Sequence, residues 1–359
     1  MGSFKTLQKV SLNSSNFFNE CWIDSGIAFN MSAVPSMETD FWLQEPDSII
    51  AASLFAAQSC FGTILNIMII VATLRSPGLR KGYLAPSIIS IAATDLIFSI
   101  VVCSGSSIYF FIRDMPLPNG CQTYSLVFYV LWMCSGLNLL GIATLRCMLV
   151  HFPRKINDPN FQLASKVMPI MAWGVSIVWL LPTAIGKYGQ FGLDCKMLTC
   201  RFIEQDVDGY EANPEKTYFL GIVLIGFILL VLNLLTYKRL SSHNRKMLSN
   251  IPSVEEENTK RTLARERKVG KMVATITMLF FITYLPVDIM LIIEHDIMTT
   301  RPKLFIISAL FASSIGIIDP LVYVAFNRQY RDEVKSLMND VSFSYSVVSK
   351  SRVKTDAIT

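Results

Sequence analysis

The sequence predicts an all-α membrane protein, a bundle of seven transmembrane helices followed by a short amphipathic helix on the cytoplasmic side. Two observations carry this. The chain has 359 residues, 52% hydrophobic and only 16% charged, where a soluble domain carries about a quarter charged residues. The charge is also clustered: long apolar blocks alternate with short polar loops, and seven blocks reach the roughly 20 residues needed to cross about 30 Å of hydrocarbon.

The blocks run over Ser48–Leu74, Tyr83–Ile112, Thr123–Val150, Val167–Gly186, Tyr218–Tyr237, Val273–Ile293 and Leu304–Phe326. Each is read as a helix, because an open sheet leaves backbone groups unsatisfied in lipid. The blocks also lack the ten-residue alternation of a membrane barrel. Residues 1–47 are read as an extracellular tail, 48–326 as the membrane domain, 327–338 as the amphipathic helix and 339–359 as a disordered cytoplasmic tail.

Lysine and arginine set the orientation. RSPGLRK after the first block, the loop flanked by Arg154, Lys155 and Lys166, and the dense basic run between the fifth and sixth blocks mark the cytoplasmic side. The alternate loops mix signs, so an odd number of spans leaves the N-terminus outside. The net charge of +5 follows from basic inner loops and calls for no nucleic acid. MGSFKT fits a myristoylation pattern, but an outside N-terminus never meets that enzyme. On the same tail, Asn13 and Asn30 head glycosylation sequons.

Cys60, Cys103, Cys134 and Cys147 fall within spans and read as small apolar residues. Cys21, Cys121, Cys195 and Cys200 fall outside, where disulfides persist. Cys121, at the outer mouth of the third span, can reach the loop holding Cys195 and Cys200; the spacing leaves the pairing open.

Buried carboxylates in lipid are costly and mark internal sites. Asp95 and Asp319 are the two that matter most, with Asn66, Ser135 and Asn138 at similar depth. Converging on one cavity, the two acids would share a proton or hold a cation; lying apart, each would bond to backbone. Pro320, directly after Asp319, frees a backbone carbonyl and bends its helix beside this centre. Pro86, Pro182 and Pro286 bend other spans. After Phe326, the spacing of Tyr330, Val334 and Leu337 against Arg328, Arg331 and Lys335 predicts a helix lying on the inner membrane surface.

The order of these features resembles the rhodopsin-like G-protein-coupled receptors over nearly the whole chain, from Ser48 to Leu337. Asn66, the run Ile91-Ala92-Ala93-Thr94-Asp95, Trp173 with Pro182, Phe280-x-x-Thr283-Tyr284-Leu285-Pro286 and Asp319-Pro320-Leu321-Val322-Tyr323 are similar to that family's helix motifs. Cys121 stands twenty-five residues before Arg146, as the family's disulfide cysteine precedes its third-helix arginine. The departures are Leu65 before Asn66, Leu145 and Cys147 on either side of Arg146, Tyr284 in place of a tryptophan, and Leu229 in place of a fifth-helix proline. Gly189-Gln190-Phe191-Gly192-Leu193-Asp194 followed by Cys200 resembles the second outer loop of invertebrate receptors of the moody and trapped-in-endoderm type, a branch near melatonin-type receptors. That likeness implies a Cys121–Cys200 disulfide.

The resemblance implies a receptor that transduces an extracellular ligand signal to a heterotrimeric G protein, with arrestin and receptor kinases acting on the serine-rich tail. It implies a ligand pocket lined by Phe128, Trp132, Tyr284 and Asp288, with Glu294 near it. Phe128 stands where amine receptors carry an aspartate, and Ser313 where opsins carry the retinal lysine, so neither an amine nor retinal is expected. Asp288 alternatively bonds a neighbouring helix. Asn66, Asp95, Ser135 and Asp319 form the expected internal site, with a sodium ion at Asp95 the one cofactor in view. Arg146, Tyr237, Glu266, Pro286 and Tyr323 are the expected switch, with Lys268 and Lys271 docking the partner. Glu266 pairs either with Arg146 or with a neighbour such as Lys268 or Arg265. Two other classes compete: a seven-helix scaffold or decoy that binds without signalling, and an ion-coupled transporter, for which no inverted repeat is visible. No catalytic trio or phosphate loop points to an enzyme.

Overall fold

The structure, a computed structural model, describes residues 7–10, 21–24, 45–112, 120–152, 158–187, 190–194, 199–203, 205–207, 210–212, 214–247, 253–293 and 302–340. Among them, seven helices are long and apolar enough to cross a membrane. We label them α1 (Glu45–Arg75), α2 (Ala85–Ile112), α3 (Gly120–His151), α4 (Pro159–Ala184), α5 (Pro214–Met247), α6 (Ser253–Ile293) and α7 (302–326). An eighth helix, α8, covers residues 328–340. The disulfide end of the bundle is named outer and the opposite end inner, after the orientation that the basic loops predict.

Local chemistry explains the boundaries. Asp158 caps α4 by accepting the Asn160 N–H at 2.9 Å, with Pro159 at the first helical position. Gly186, at φ 69°, ends the same helix in the left-handed conformation that glycine adopts without strain. Asn327 leaves the helical region at ψ 113° and accepts the Gln329 N–H at 3.0 Å, so one residue both stops α7 and starts α8.

Two spans are irregular at points where their residue pattern announces no break. Within α2, Phe98–Cys103 is wound as a π-helix, the insertion type that recurs at functional sites. Within α7, Pro302–Ser313 and Ile315–Phe326 are separate helical pieces meeting at Ser314. Several helices also overrun their apolar blocks; α6 begins at Ser253, far before the expected Val273. Charged residues there extend a helix beyond lipid because nothing in their propensity stops it.

Among the described residues, strands occur only outside the spans, where lipid does not penalise an open edge. β1 (Leu7–Val10), β2 (Cys21–Asp24), β3 (Gln190–Asp194) and β4 (Thr199–Ile203) pair in that order. β3 and β4 are antiparallel, with Phe191 opposite Phe202 and Leu193 opposite Cys200. A second ribbon pairs β5 (Gln205–Val207) with β6 (Tyr210–Ala212).

The bundle packs around α3, whose apolar window is 61% buried against 22% for α1. One large core joins Ile69, Ile91, Leu139, Ile142, Leu229, Val273, Ile276 and Tyr323 across six spans. Leu229, where a proline was expected from the family, is fully buried within an unbroken α5.

Candidate functional site

The polar centre is built on a helix defect. Pro320 has no N–H, so the Gly316 carbonyl lacks its usual partner four residues on. Asn66 of α1 supplies one: its Nδ2 donates to the Gly316 oxygen at 2.8 Å and to the Gly62 oxygen at 2.9 Å. Asn66, Asp95, Asn138 and Asp319 are all at least 96% buried, and Ser135 stands at the edge at 9% exposure. Asp95 and Asp319 lie near enough that each acts on the other's charge and both act on the Tyr323 phenol.

Hydrogen bonds leave oxygen atoms over. Among the described residues, Asn66 Oδ1, Asp95 Oδ2, Asn138 Oδ1 and Asp319 Oδ1 are buried without a hydrogen-bond partner. Unpaired buried carboxylate and amide oxygens are costly, and a set of hard oxygen donors suits an alkali or alkaline-earth cation. The oxygens left over are of the kind that would hold a small hard cation. No group of three or more His, Cys, Asp or Glu side chains that could hold a metal occurs among the described residues.

Toward the outer end the expected pocket residues form an aromatic core. Trp132 stacks on Tyr284 at 5.2 Å and lies 5.4 Å from Tyr218, whose hydroxyl donates to the Tyr129 carbonyl. Phe280 supports Tyr284 from below at 4.8 Å. Phe191 of β3 stacks on Tyr129 at 5.8 Å and covers this column. Trp132, Tyr284, Tyr129, Tyr218 and Phe191 are all buried. Phe128 flanks the column, 5.2 Å from Tyr129 and 6.0 Å from Trp132, and joins it to Phe98 of α2 at 5.9 Å. The Cys121–Cys200 disulfide ties the outer end of α3 to β4 and so holds the hairpin over the column.

At the inner end, Arg146 is 2% exposed and lies against the backbone of Gly270 on α6. A Cβ at Gly270 would stand 2.8 Å from an Arg146 terminal nitrogen, so only glycine lets the guanidinium sit there undisturbed. Around this contact opens a crevice of about 650 Å³ lined by Arg146, Asn233, Tyr237, Lys268, Lys271 and Phe326. Tyr323 does not line it. It is 1% exposed and packs 5.9 Å from Tyr330 of α8, which bonds Thr73 Oγ1 at 2.9 Å. The turn at Asn327 folds α8 back beneath α7 and closes Tyr323 in. Burial pushes the Tyr330 phenol up to about 12.

Several expected residues cannot be placed. The side chains of Glu266 and Asp288 lie outside the described residues, as do Glu294, Cys195, Asn13, Asn30 and the side chain of Cys21. Pro286 is within α6, whose helix runs on through it. The structure adds Gly270, Asn233 and Phe326 to the crevice, and Gln58, Gly62 and Ser99 beside the polar centre. Ser99 Oγ would stand 2.2 Å from a Cβ at Gly62, so α1 and α2 touch there only because position 62 is glycine. The spacing Gln58, Gly62, Asn66 places all three on one helix face, a signal present in the sequence.

These features occur together in known proteins. Residues 65–323 match the model of the 7 transmembrane receptor (rhodopsin family). The chain is 23% identical over 332 residues to protein trapped in endoderm-1 of Drosophila melanogaster, covering 86% of this chain and 84% of that one. It is 22% identical to the G-protein coupled receptor moody of the same species, over 76% of this chain and 48% of that longer protein. Squid rhodopsin shares the fold at a TM-score of 0.72 and 17% identity, covering 83% of this chain and 87% of its own. With the matched segment spanning most of the seven-helix bundle, the chain belongs to the rhodopsin family of seven-transmembrane receptors, a family of membrane receptors and not of enzymes.

Proposed function

We propose that this receptor answers a non-amine ligand arriving from outside and passes the signal to a heterotrimeric G protein when the inner end of α6 leaves α3. The observation that carries this reading is the seat of Arg146 against Gly270 at the head of the inner crevice. Arg146 wedges α3 against α6, and its displacement would widen an opening already edged by Lys268 and Lys271. A ligand drives such a change only by its differential affinity for the two packings. The aromatic column of Trp132, Tyr284 and Tyr218 under Phe191 supports an apolar or aromatic ligand, bound at the plasma membrane with the N-terminus outside. A sodium ion shared by Asp95 and Asp319 would hold the resting packing together. Receptor kinases and arrestin would act on the serines beyond residue 340.

The test is nucleotide exchange on purified heterotrimers by the protein in nanodiscs. Exchange above that of empty discs in the wild type, lost in Arg146→Ala, is expected; equal rates in both contradict the reading. Protease added from the cytosolic side alone should cut near Val254-Glu255, and cleavage from outside would reverse the proposed topology.

A second reading, a seven-helix protein that binds without signalling, draws on Leu145. Where the family usually has an acid, this leucine is fully buried in an apolar cluster with Leu149 and Phe161. It predicts no exchange with any heterotrimer, wild type included.

A further inference from the structure

α7 contains two interruptions, and α1 meets both with an amide. The lower one is the Pro320 defect that Asn66 caps. The upper one lies at Ser314, where the Ser314 N–H turns to the Phe311 oxygen at 3.3 Å, closing a tighter turn than the α-helical one. The Leu310 carbonyl thereby loses its regular partner. Gln58 Nε2 donates to that carbonyl at 2.8 Å, across 252 residues of sequence. The other end of the same amide is also engaged. The Ser313 hydroxyl, with its single hydrogen, lies 2.6 Å from Gln58 Oε1 and 3.0 Å from the Leu310 oxygen.

We propose that Gln58 is a latch that fastens the outer half of α7 to α1 at the Ser314 break. It is a positioning residue: it touches no ligand and acts through the backbone of α7. The amide is suited to this because it donates to a carbonyl and accepts from a hydroxyl at once. Glutamate keeps the acceptor but loses the donor; leucine keeps the volume and loses both. Gln58 stands two helical turns before Asn66 on the same face, so the two caps hold the outer and inner pieces of α7 in one register. The latch also draws the Ser313 side chain toward α1 and away from the aromatic column. With it closed, α7 moves only together with α1. With it open, the Leu310 carbonyl keeps only the Ser313 hydroxyl at 3.0 Å, and a return of the Ser314 N–H to it would straighten the helix. This device rests on the α1–α7 contacts alone and stands whether or not the receptor couples to a G protein.

Hydrogen–deuterium exchange of the full chain in nanodiscs, read by mass spectrometry, tests it. In Gln58→Leu the amides of the 310–318 segment should exchange about tenfold faster than in the wild type, the loss expected for one net hydrogen bond. α4 and α5 should be unchanged. Gln58→Glu and Ser313→Ala should give smaller increases in the same segment. Equal exchange in Gln58→Leu and wild type overturns the latch, as does an increase spread evenly over all helices. If Gln58→Leu does not fold, the milder pair decides: unchanged exchange in both overturns it, and a local increase supports it.

Discussion

The two sides of the bundle are held by different forces. Along α1, polar links reach α7 and α8 from end to end: Asp47 to Lys303 at 2.6 Å, Gln58 to Leu310, Asn66 to Gly316, Thr73 to Tyr330, and Arg75 to Asp340 at 2.7 Å. Two of the described contacts of α6 are fits of shape. The Phe281 ring fills the space over Gly226 of α5, where a Cβ would come within 2.5 Å of it, and Arg146 fills the space over Gly270. Directed bonds fix one arrangement, because breaking the Gln58 or Asn66 bond takes a partner from a backbone carbonyl of α7. Close packing against glycine has no such penalty, so another arrangement is reached by a rigid shift. The contrast teaches where a moving part belongs: on the side seated against glycine.

Substitutions can break or sharpen this contrast. The largest effect is expected from Gly62→Leu, whose side chain has no room beside Ser99. Overpacking of this kind costs about 1–3 kcal/mol and sometimes more, so thermal unfolding in detergent should show a marked drop or loss of the folded protein. Asn66→Leu should follow, because it strands the Gly316 carbonyl in the core at about 1–3 kcal/mol; a melting temperature equal to wild type would show that this cap does not hold α7. On the packed side, Gly226→Ala should cost less than Gly62→Leu, since the group that must yield is a ring at the end of a side chain. Phe281→Leu should relieve it in the double variant, and independent, additive losses would deny the contact. Smallest of all is Asp340→Asn. Its bridge to Arg75 is about half exposed and screened by water and salt, so melting should be unchanged at moderate ionic strength.

Much of this was legible in the sequence because the bilayer permits so few solutions. Seven apolar blocks had to be helices, and Asn66, Asp95 and Asp319 had to face inward. Gln58 escaped notice because one glutamine in an apolar run is ordinary until the helix it serves is seen to break, and Ser313-Ser314 carries neither proline nor glycine to announce that break. The π-helical turn at Phe98–Cys103 is hidden for the same reason: an inserted residue leaves no compositional trace. The motif marks Tyr323 as part of the switch but does not say what encloses it. Its neighbour in space, Tyr330, lies beyond the turn at Asn327, and the angle of that turn is set by packing. Phe128 lies beside Trp132 as its spacing suggests, but its second neighbour Phe98 comes from the π-helical turn of α2, which the sequence does not announce.

The central claim is that α6 moves while α7 and α8 stay with α1. It is tested most directly by two pairs of spin labels in one nanodisc preparation, after replacement of Cys60, Cys103, Cys134 and Cys147. One pair joins Lys166→Cys on α4 to Lys268→Cys on α6; the other joins Leu74→Cys on α1 to Met338→Cys on α8. On addition of the heterotrimer that gives the fastest exchange, the account predicts a longer distance for the first pair and an unchanged one for the second. A fixed first pair, or a second pair that changes as much as the first, would contradict it.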